Sequence, residues 1–369
     1  MAESERGGMA EHSPPARKAR AGTWFVTRKY PPRIGGMERF SWELTTRMAK
    51  RRPTRLLALR SGRFWLPLFL VTSALSIIAG GVTRRITLLH LGDAALAPLG
   101  RIARLFAIPV CVTVHGRDVT YDNPLYRLWL QIFFGGFDAY VCVSAAARSA
   151  ALRVGVPATH TCVIGNGVIA SAAPNAPREP DLLLFVGRLV RRKGLEWFVH
   201  AVLPCVVQRR SGVRLAVIGA GPERAAIQQA ALTAGVADRI QWCGAVPDAV
   251  RTEWLARAAV CIAPNVRVAG DIEGYGIAAL EAAAAGCALV AADIEGLHDA
   301  IAGGQGGYLI TSEDADAWIQ TIVELLNEPS RATSLGDRAR AWVRTDRDWE
   351  AVCDRYEALF DELGRAAKA

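Results

Sequence analysis

Two glutamates eight positions apart, Glu273 and Glu281, bracket the segment Glu-Gly-Tyr-Gly-Ile-Ala-Ala-Leu-Glu. On one uninterrupted helix they would be turned about 80° from one another, close enough to share a face. Gly274 and Gly276 disfavour helix at the start of the segment, so Glu273 is expected in a loop and Glu281 a turn or two inside the helix that follows. The amides of Gly274, Tyr275, Gly276 and Ile277 would then form a helix N-terminus, which attracts anions and sugar hydroxyls. Two surface glutamates flanking a glycine-rich cap is the plainer alternative.

Arg188 and Lys193 stand five apart, between a strand and a helix expected to start near Gly194. Two cations there can neutralise a diphosphate leaving group as charge develops on it. With Arg191 and Arg192 beside them, a solvated basic loop fits as well. Gly35 and Gly36 could offer backbone N–H groups to the same phosphates, or form an ordinary turn. His115 closes the apolar run VCVTVHG, where a buried structural histidine is an equal reading. Gly219 and Gly221 follow a strand as a dinucleotide fingerprint would. Arg224 replaces the third glycine, however, and Asp238, about 20 residues on, precedes its strand instead of ending it. An NAD-dependent oxidoreductase is therefore the alternative from another enzyme class. Asp346 and Asp348 have a metal-binding D-x-D spacing, but they enter the last helix, where aspartates cap. No metal and no cofactor are expected.

These residues need a scaffold. Apolar, β-branched runs at Thr23–Thr27, Arg55–Leu59, Ile86–His90, Val110–Val114, Ala139–Val143 and Thr161–Ile164 read as buried strands with helices between them. The rhythm restarts at Leu182–Val186, Arg214–Ile218, Ile240–Trp242, Val260–Ala263 and Ala288–Ala291. Strand–helix alternation implies right-handed βαβ units and parallel sheets. The expected organisation is a tail over 1–21, one doubly wound α/β domain over 22–170 and a Pro-rich linker over 171–180. A second such domain covers 181–347, and a closing helix covers 348–369. Ligands of such folds bind beyond the carboxyl ends of the strands, here in the cleft between the domains.

At 369 residues with 51% hydrophobic and 21% charged, the chain can bury two cores. Its eight cysteines show no paired spacing, which favours a reducing compartment; with no apolar leader in the first 22 residues, a cytoplasmic location is expected. The net charge of +9 is uneven: residues 1–180 carry 24 Lys and Arg against 10 Asp and Glu, the rest 20 against 25. That asymmetry points to an anionic partner for the first half. No basic tract interleaved with aromatics speaks for nucleic acid, which is not expected as a partner. Residues 64–81 are uncharged. They could cover the sheet, span a membrane, or touch a bilayer surface. Arg47, Lys50, Arg51, Arg52, Arg60 and Arg63 precede them, as expected for docking on anionic lipid at the inner face of a cytoplasmic membrane.

Taken in chain order, the motifs resemble glycosyltransferase family 4, retaining enzymes of the two-domain GT-B fold that use nucleotide sugars. The signature E-G-[FY]-G-x-x-x-x-E is met by Glu273–Glu281, and G-R-L-x-x-x-K-G by Gly187–Gly194. The turn G-x-G-P-E-R is met by Gly219–Arg224, and Pro31-Pro32 with Gly35-Gly36 resembles the phosphate loop of the first domain. His115-Gly-Arg-Asp118 resembles H-G-x-D, and Gly165-Asn166-Gly167-Val168 resembles P-N-G-V with glycine in place of proline. The likeness runs from about Phe25 to Phe360. It implies Glu281 on the donor ribose, Glu273 and His115 beside the transferred sugar, and Arg188 and Lys193 on the diphosphate. The glycines of the signature would lie along the donor, with Asp118 and Asn166 nearby. It also implies a glycan or lipid-linked acceptor bound mostly by the first domain, with front-face attack that needs no protein base; a non-catalytic, membrane-associated sugar-nucleotide binder is the alternative that is no enzyme.

Overall fold

A computed structural model describes residues 21–33, 35–169 and 177–367. Most of the N-terminal tail and the linker up to residue 176 lie outside the described residues. Twelve strands form two six-stranded sheets. The first contains β1 (Gly22–Thr27), β2 (Thr54–Ala58), β3 (Ile86–Leu91), β4 (Val110–Val114), β5 (Ala139–Cys142) and β6 (Thr161–Val163), in the order β2-β1-β3-β4-β5-β6. The second contains β7 (Glu179–Val186), β8 (Arg214–Ile218), β9 (Ile240–Gly244), β10 (Ala258–Ala263), β11 (Ala288–Ala292) and β12 (Tyr308–Ile310), in the order β12-β11-β10-β7-β8-β9. All pairings are parallel. The strand order reverses between β1 and β3 and between β7 and β10, and such reversals open a crevice at the carboxyl ends of those strands. β7 starts inside the Pro-rich segment read as linker, where Arg178 donates to the Ala258 carbonyl at 2.7 Å. The three-residue edge strand β12 has no counterpart among the predicted strands.

The helices of the first half are α1 (Gly36–Arg51), α2 (Leu66–Val82), α3 (Ala97–Arg104), α4 (Arg117–Thr120), α5 (Pro124–Phe133) and α6 (Ala145–Arg153). Those of the second are α7 (Leu195–Ala201), α8 (Leu203–Arg209), α9 (Arg224–Thr233), α10 (Asp248–Arg257), α11 (Ile277–Ala284), α12 (Glu295–Ala300), α13 (Ala315–Asn327), α14 (Pro329–Trp342) and α15 (Trp349–Ala366). Side chains alternate across each strand, so β1 sends Trp24 and Val26 to one core and Phe25 to the other. Both faces are covered, which is why the strand reads as an unbroken apolar run. On the Phe25 side, Phe40, Leu44 and Met48 of α1 meet Val352, Tyr356 and Phe360 of α15. The closing helix, last in the sequence, thus packs on the first domain. Asp348 caps it, accepting from the Glu350 amide, and Asp346 pairs with Arg355 at 2.8 Å, so the D-x-D carboxylates do structural work. Where the chain passes between the halves, Val168 and Asp348 form an isolated parallel bridge, with the Val168 amide donating to the Arg347 carbonyl at 2.9 Å.

The expected basic docking cluster is corrected by this topology. Arg47 and Arg51 lie on α1 and Arg52 caps its end, and all three face α15: Arg51 pairs with Glu350, Asp354 and Glu357, Arg52 with Asp361, and Arg47 with Glu350 and with Glu43 of its own helix. Neighbours in sequence, α1 and the apolar segment sit on opposite faces of the sheet, because the intervening β2 carries the chain across. Arg60 stacks over the Tyr30 ring, and the side chain of Arg63 is outside the described residues. The apolar segment forms α2, which buries Ser73, Ile77 and Gly80 against the sheet. Among the described residues no helix is long and apolar enough to cross a membrane.

Candidate functional site

The motif residues converge where the carboxyl ends of the two sheets face each other. Leaving β7, the chain runs through Arg188 to Lys193; leaving β10, it reaches Asn265 and then Glu273. Lys193 Nζ pairs with Glu273 Oε2, Asn265 Nδ2 donates to the same oxygen at 2.9 Å, and Arg192 Nε stands 3.7 Å away. Glu273 is buried, which alone would raise its carboxyl pKa. Lys193 and Arg192 outweigh that burial and hold it below its ordinary value, so it is a carboxylate at neutral pH. Arg188 is exposed and has no side-chain hydrogen bond or ion pair among the described residues, which leaves it free to meet an anion in the cleft.

Gly219 and Gly221 act on this cluster indirectly. A side chain on Gly219 would collide with the Gly187 carbonyl, and one on Gly221 with the Leu189 carbonyl. Backbone bonds from Gly187 to Ile218 and from Leu189 to Ala220, at 2.9 and 3.0 Å, fasten the Arg188 loop to that turn. The pair therefore lets the turn pack closely against the Arg188 loop.

The 273–277 loop reaches the first domain. A side chain on Gly274 would strike the His115 carbonyl, and one on Gly36 would come within 2.9 Å of Ile277 Cδ1. Tyr275 is buried with its hydroxyl against Gly165; that hydroxyl and the buried Asn166 Oδ1 have no hydrogen-bond partner among the described residues. Burial raises the Tyr275 phenol to about 12, so it stays protonated and able to donate. Gly276 takes a left-handed conformation, φ 84°, at the N-cap of α11, which sets Glu273 in the loop and Glu281 in the second turn, as the glycine spacing predicts.

His115 ends β4 with Nε2 3.1 Å from the Gly92 carbonyl and its ring edge-on to Phe40 at 5.1 Å. Burial lowers its pKa to about 4, so it is neutral. Asp118 folds back on the turn, accepting from the His115 amide at 2.9 Å and the Ala94 amide at 3.3 Å. Its burial, with Asp93 nearby, raises its pKa to about 7. Asp118 therefore braces the backbone that carries His115.

Glu281 sits apart from the Lys193 cluster, in a second compartment of the cleft. Its Oε1 accepts from Arg251 of α10 at 3.0 Å and from Arg39 of α1 at 3.1 Å. These arginines also pair with Asp248, at 2.9 and 3.3 Å. The four side chains edge an open cavity of about 270 Å³, shared by Val168 of the first domain and Ala284 of the second. Sequence reading missed Asn265, Arg192, Arg39 and Arg251. Asn265 had one signal, a polar residue just past an apolar strand; the arginines had none beyond their charge.

Residues 49–171 match the family described as Glycosyltransferase Family 4, and residues 180–328 match Glycosyl transferases group 1. The chain is 30% identical over 274 residues to a GDP-mannose-dependent alpha-(1-6)-phosphatidylinositol monomannoside mannosyltransferase of Mycobacterium tuberculosis, covering 70% of each chain. The Mycolicibacterium smegmatis protein of the same name is 28% identical over 383 residues, covering 94% of this chain and 100% of the relative. Among solved structures, sucrose-phosphate synthase from Thermosynechococcus elongatus has a TM-score of 0.73 at 20% identity, covering 93% and 99% of the two chains. An Anabaena protein in complex with UDP and glucose has a TM-score of 0.70 at 14% identity, covering 92% and 100%. These two likenesses show the GT-B fold. With relatives matched across both halves and the signature residues gathered at the mouth of the cleft, this chain belongs to glycosyltransferase family 4.

Proposed function

We propose that the protein is a retaining, metal-independent glycosyltransferase that moves a sugar from a nucleotide diphosphate sugar to the hydroxyl of a lipid-linked or other glycan acceptor. The observation that carries this is the Glu273–Lys193–Arg192–Asn265 cluster beside the unpaired Arg188. Lys193 and Arg188 stabilise the diphosphate as the glycosidic bond breaks, with Gly35 and Gly36 facing it from the first domain. Glu273 accepts hydrogen bonds from hydroxyls of the transferred sugar, and Glu281 accepts from the ribose diol. The acceptor oxygen attacks from the face the diphosphate leaves, and a departing phosphate oxygen takes its proton. No side-chain base is called for, in keeping with a neutral His115 whose Nε2 is engaged by Gly92.

The names of the relatives, phosphatidylinositol mannosyltransferases, favour a phosphorylated lipid as acceptor and GDP as the nucleotide. The first domain fits a lipid acceptor through α2, whose exposed stripe of Phe64, Leu68, Val71, Leu75, Ile78 and Val82 suits a bilayer surface. Exposed Arg84 and Arg85 at its end suit anionic headgroups.

Thermal melting with GDP, UDP, ADP and TDP tests the donor. A ligand at a hundred times its dissociation constant adds about 2.7 kcal/mol, so one nucleotide should raise the midpoint well above the others. If none does while NAD(H) does, the transferase assignment of the cleft falls. Retention is tested by NMR of the product, whose anomeric configuration should match the donor.

A further inference from the structure

The ring Arg39–Glu281–Arg251–Asp248 spans the two domains: Arg39 is anchored on α1 of the first, the other three on α10 and α11 of the second. Both arginines converge on Oε1 of Glu281, and the side chain keeps a small exposed part toward the cavity. No protein donor reaches Oε2 among the described residues. We propose that Arg39 is a positioning residue for the donor: from the first domain, it fixes Glu281 so that Oε2 presents to a vicinal diol. This rests on the reading of Glu281 as the ribose acceptor.

The reasoning is electrostatic and geometric. A buried carboxylate prefers to be protonated, and a protonated carboxyl loses half of its acceptor capacity for a diol. The titratable and charged groups facing Glu281 are Arg39 of α1, Arg251 and Asp248 of α10, and the Cys261 thiol of β10. Asp248 works against ionisation, and burial does so more strongly, so both arginines are needed to oppose them. Arg251 is the larger of the two contributions; both arginines also share Asp248, at 2.9 and 3.3 Å, but only Arg39 comes from the first domain. Arg39 is thus the contribution that the second domain cannot make for itself. Nucleotide affinity in the second domain then depends on the first domain being closed over it.

Calorimetric titration of GDP and UDP into the full chain at pH 6, 7 and 8 decides the matter. The variants are Arg39→Gln, Arg39→Lys and Glu281→Gln. Each dissociation constant is divided by the wild-type value at the same pH, which cancels titration of the nucleotide itself. Arg39→Gln should weaken binding by about threefold or more, with a larger loss at pH 6 than at pH 8, because without that cation the buried carboxyl takes up a proton more readily as pH falls. Arg39→Lys, retaining the charge, should restore a flat ratio across pH. Glu281→Gln should weaken binding equally at all three values. If Arg39→Gln matches wild type at every pH while Glu281→Gln binds weakly, the Arg39 proposal is overturned and the ribose reading stands. If Glu281→Gln also binds like wild type, the ribose reading fails with it. Arg39 is part-exposed on its helix, and circular dichroism of each variant separates a folding defect from a binding one.

Discussion

Lys193 and Arg188 are alike in sequence and different in the folded protein. Lys193 is the partner of a buried carboxylate, whereas Arg188 is exposed and unpaired among the described residues. Each should lose about two to three orders of magnitude in turnover when changed to Ala, the range for removing one preorganised charge donor. Their melting temperatures should diverge. Arg188→Ala should melt like the parent, but Lys193→Ala leaves Glu273 with Arg192 at 3.7 Å as its counter-charge and the Asn265 amide as its donor, and should melt several degrees lower, since removing one partner of a buried ion pair is strongly destabilising. The difference should shrink on acidification. A carboxyl held below its ordinary value adds stability at neutral pH, and that stability is lost as pH falls through its folded pKa, below 4.5. Equal melting of the two variants at pH 7 would show that the Lys193–Glu273 pair carries no stability. Glu273, Glu281, Arg188 and Lys193 were legible because glycines and spacing mark them. Arg39 and Arg251 were not, because each reaches Glu281 from another helix and only the folded topology brings them near; Asn265, eight residues before Glu273, has no glycine or spacing to mark it.

At the scale of elements, the strands were legible because parallel strands buried on both faces are unbroken apolar runs. Edge strand β12, half-buried and with Ile310 its one β-branched residue, was not. The placement of charge was misread: closeness along the chain put Arg47, Arg51 and Arg52 beside α2, whereas a βαβ crossover puts them behind the sheet. That distinction is measurable. Leu68→Ser with Leu75→Ser should abolish co-sedimentation with anionic liposomes and leave the melting point within about 1 °C, because both side chains are exposed. Neutralising Arg47, Arg51 and Arg52 together should leave lipid binding intact and weaken the seat of α15, by up to about 1 kcal/mol for each pair lost. Should the arginine variant lose lipid binding while the leucine variant retains it, docking runs through α1 and the apolar stripe has no part in it.

For the molecule as a whole, the chain ends where it began. α15 supplies Val352, Cys353, Tyr356 and Phe360 to the core that Phe25 and Phe40 share, and the Tyr356 hydroxyl lies 3.2 Å from Thr113 on β4. Ending the chain at Asp348 should therefore unfold the first domain, although the cut lies beyond the second. Limited proteolysis should show cleavage spreading through residues 22–169 while the second sheet resists; the opposite pattern would mean that α15 stabilises its nearer neighbour. The Val168–Asp348 bridge has a mechanical counterpart to this. The polypeptide crosses between the halves twice, and these crossings are stitched side by side by the bond from the Val168 amide to the Arg347 carbonyl. Two parallel ribbons joined along their edge bend readily about one line and resist torsion and sliding. A movement of one half against the other would therefore pivot at this stitch, beside the cavity that Val168 lines together with Arg39 and Glu281.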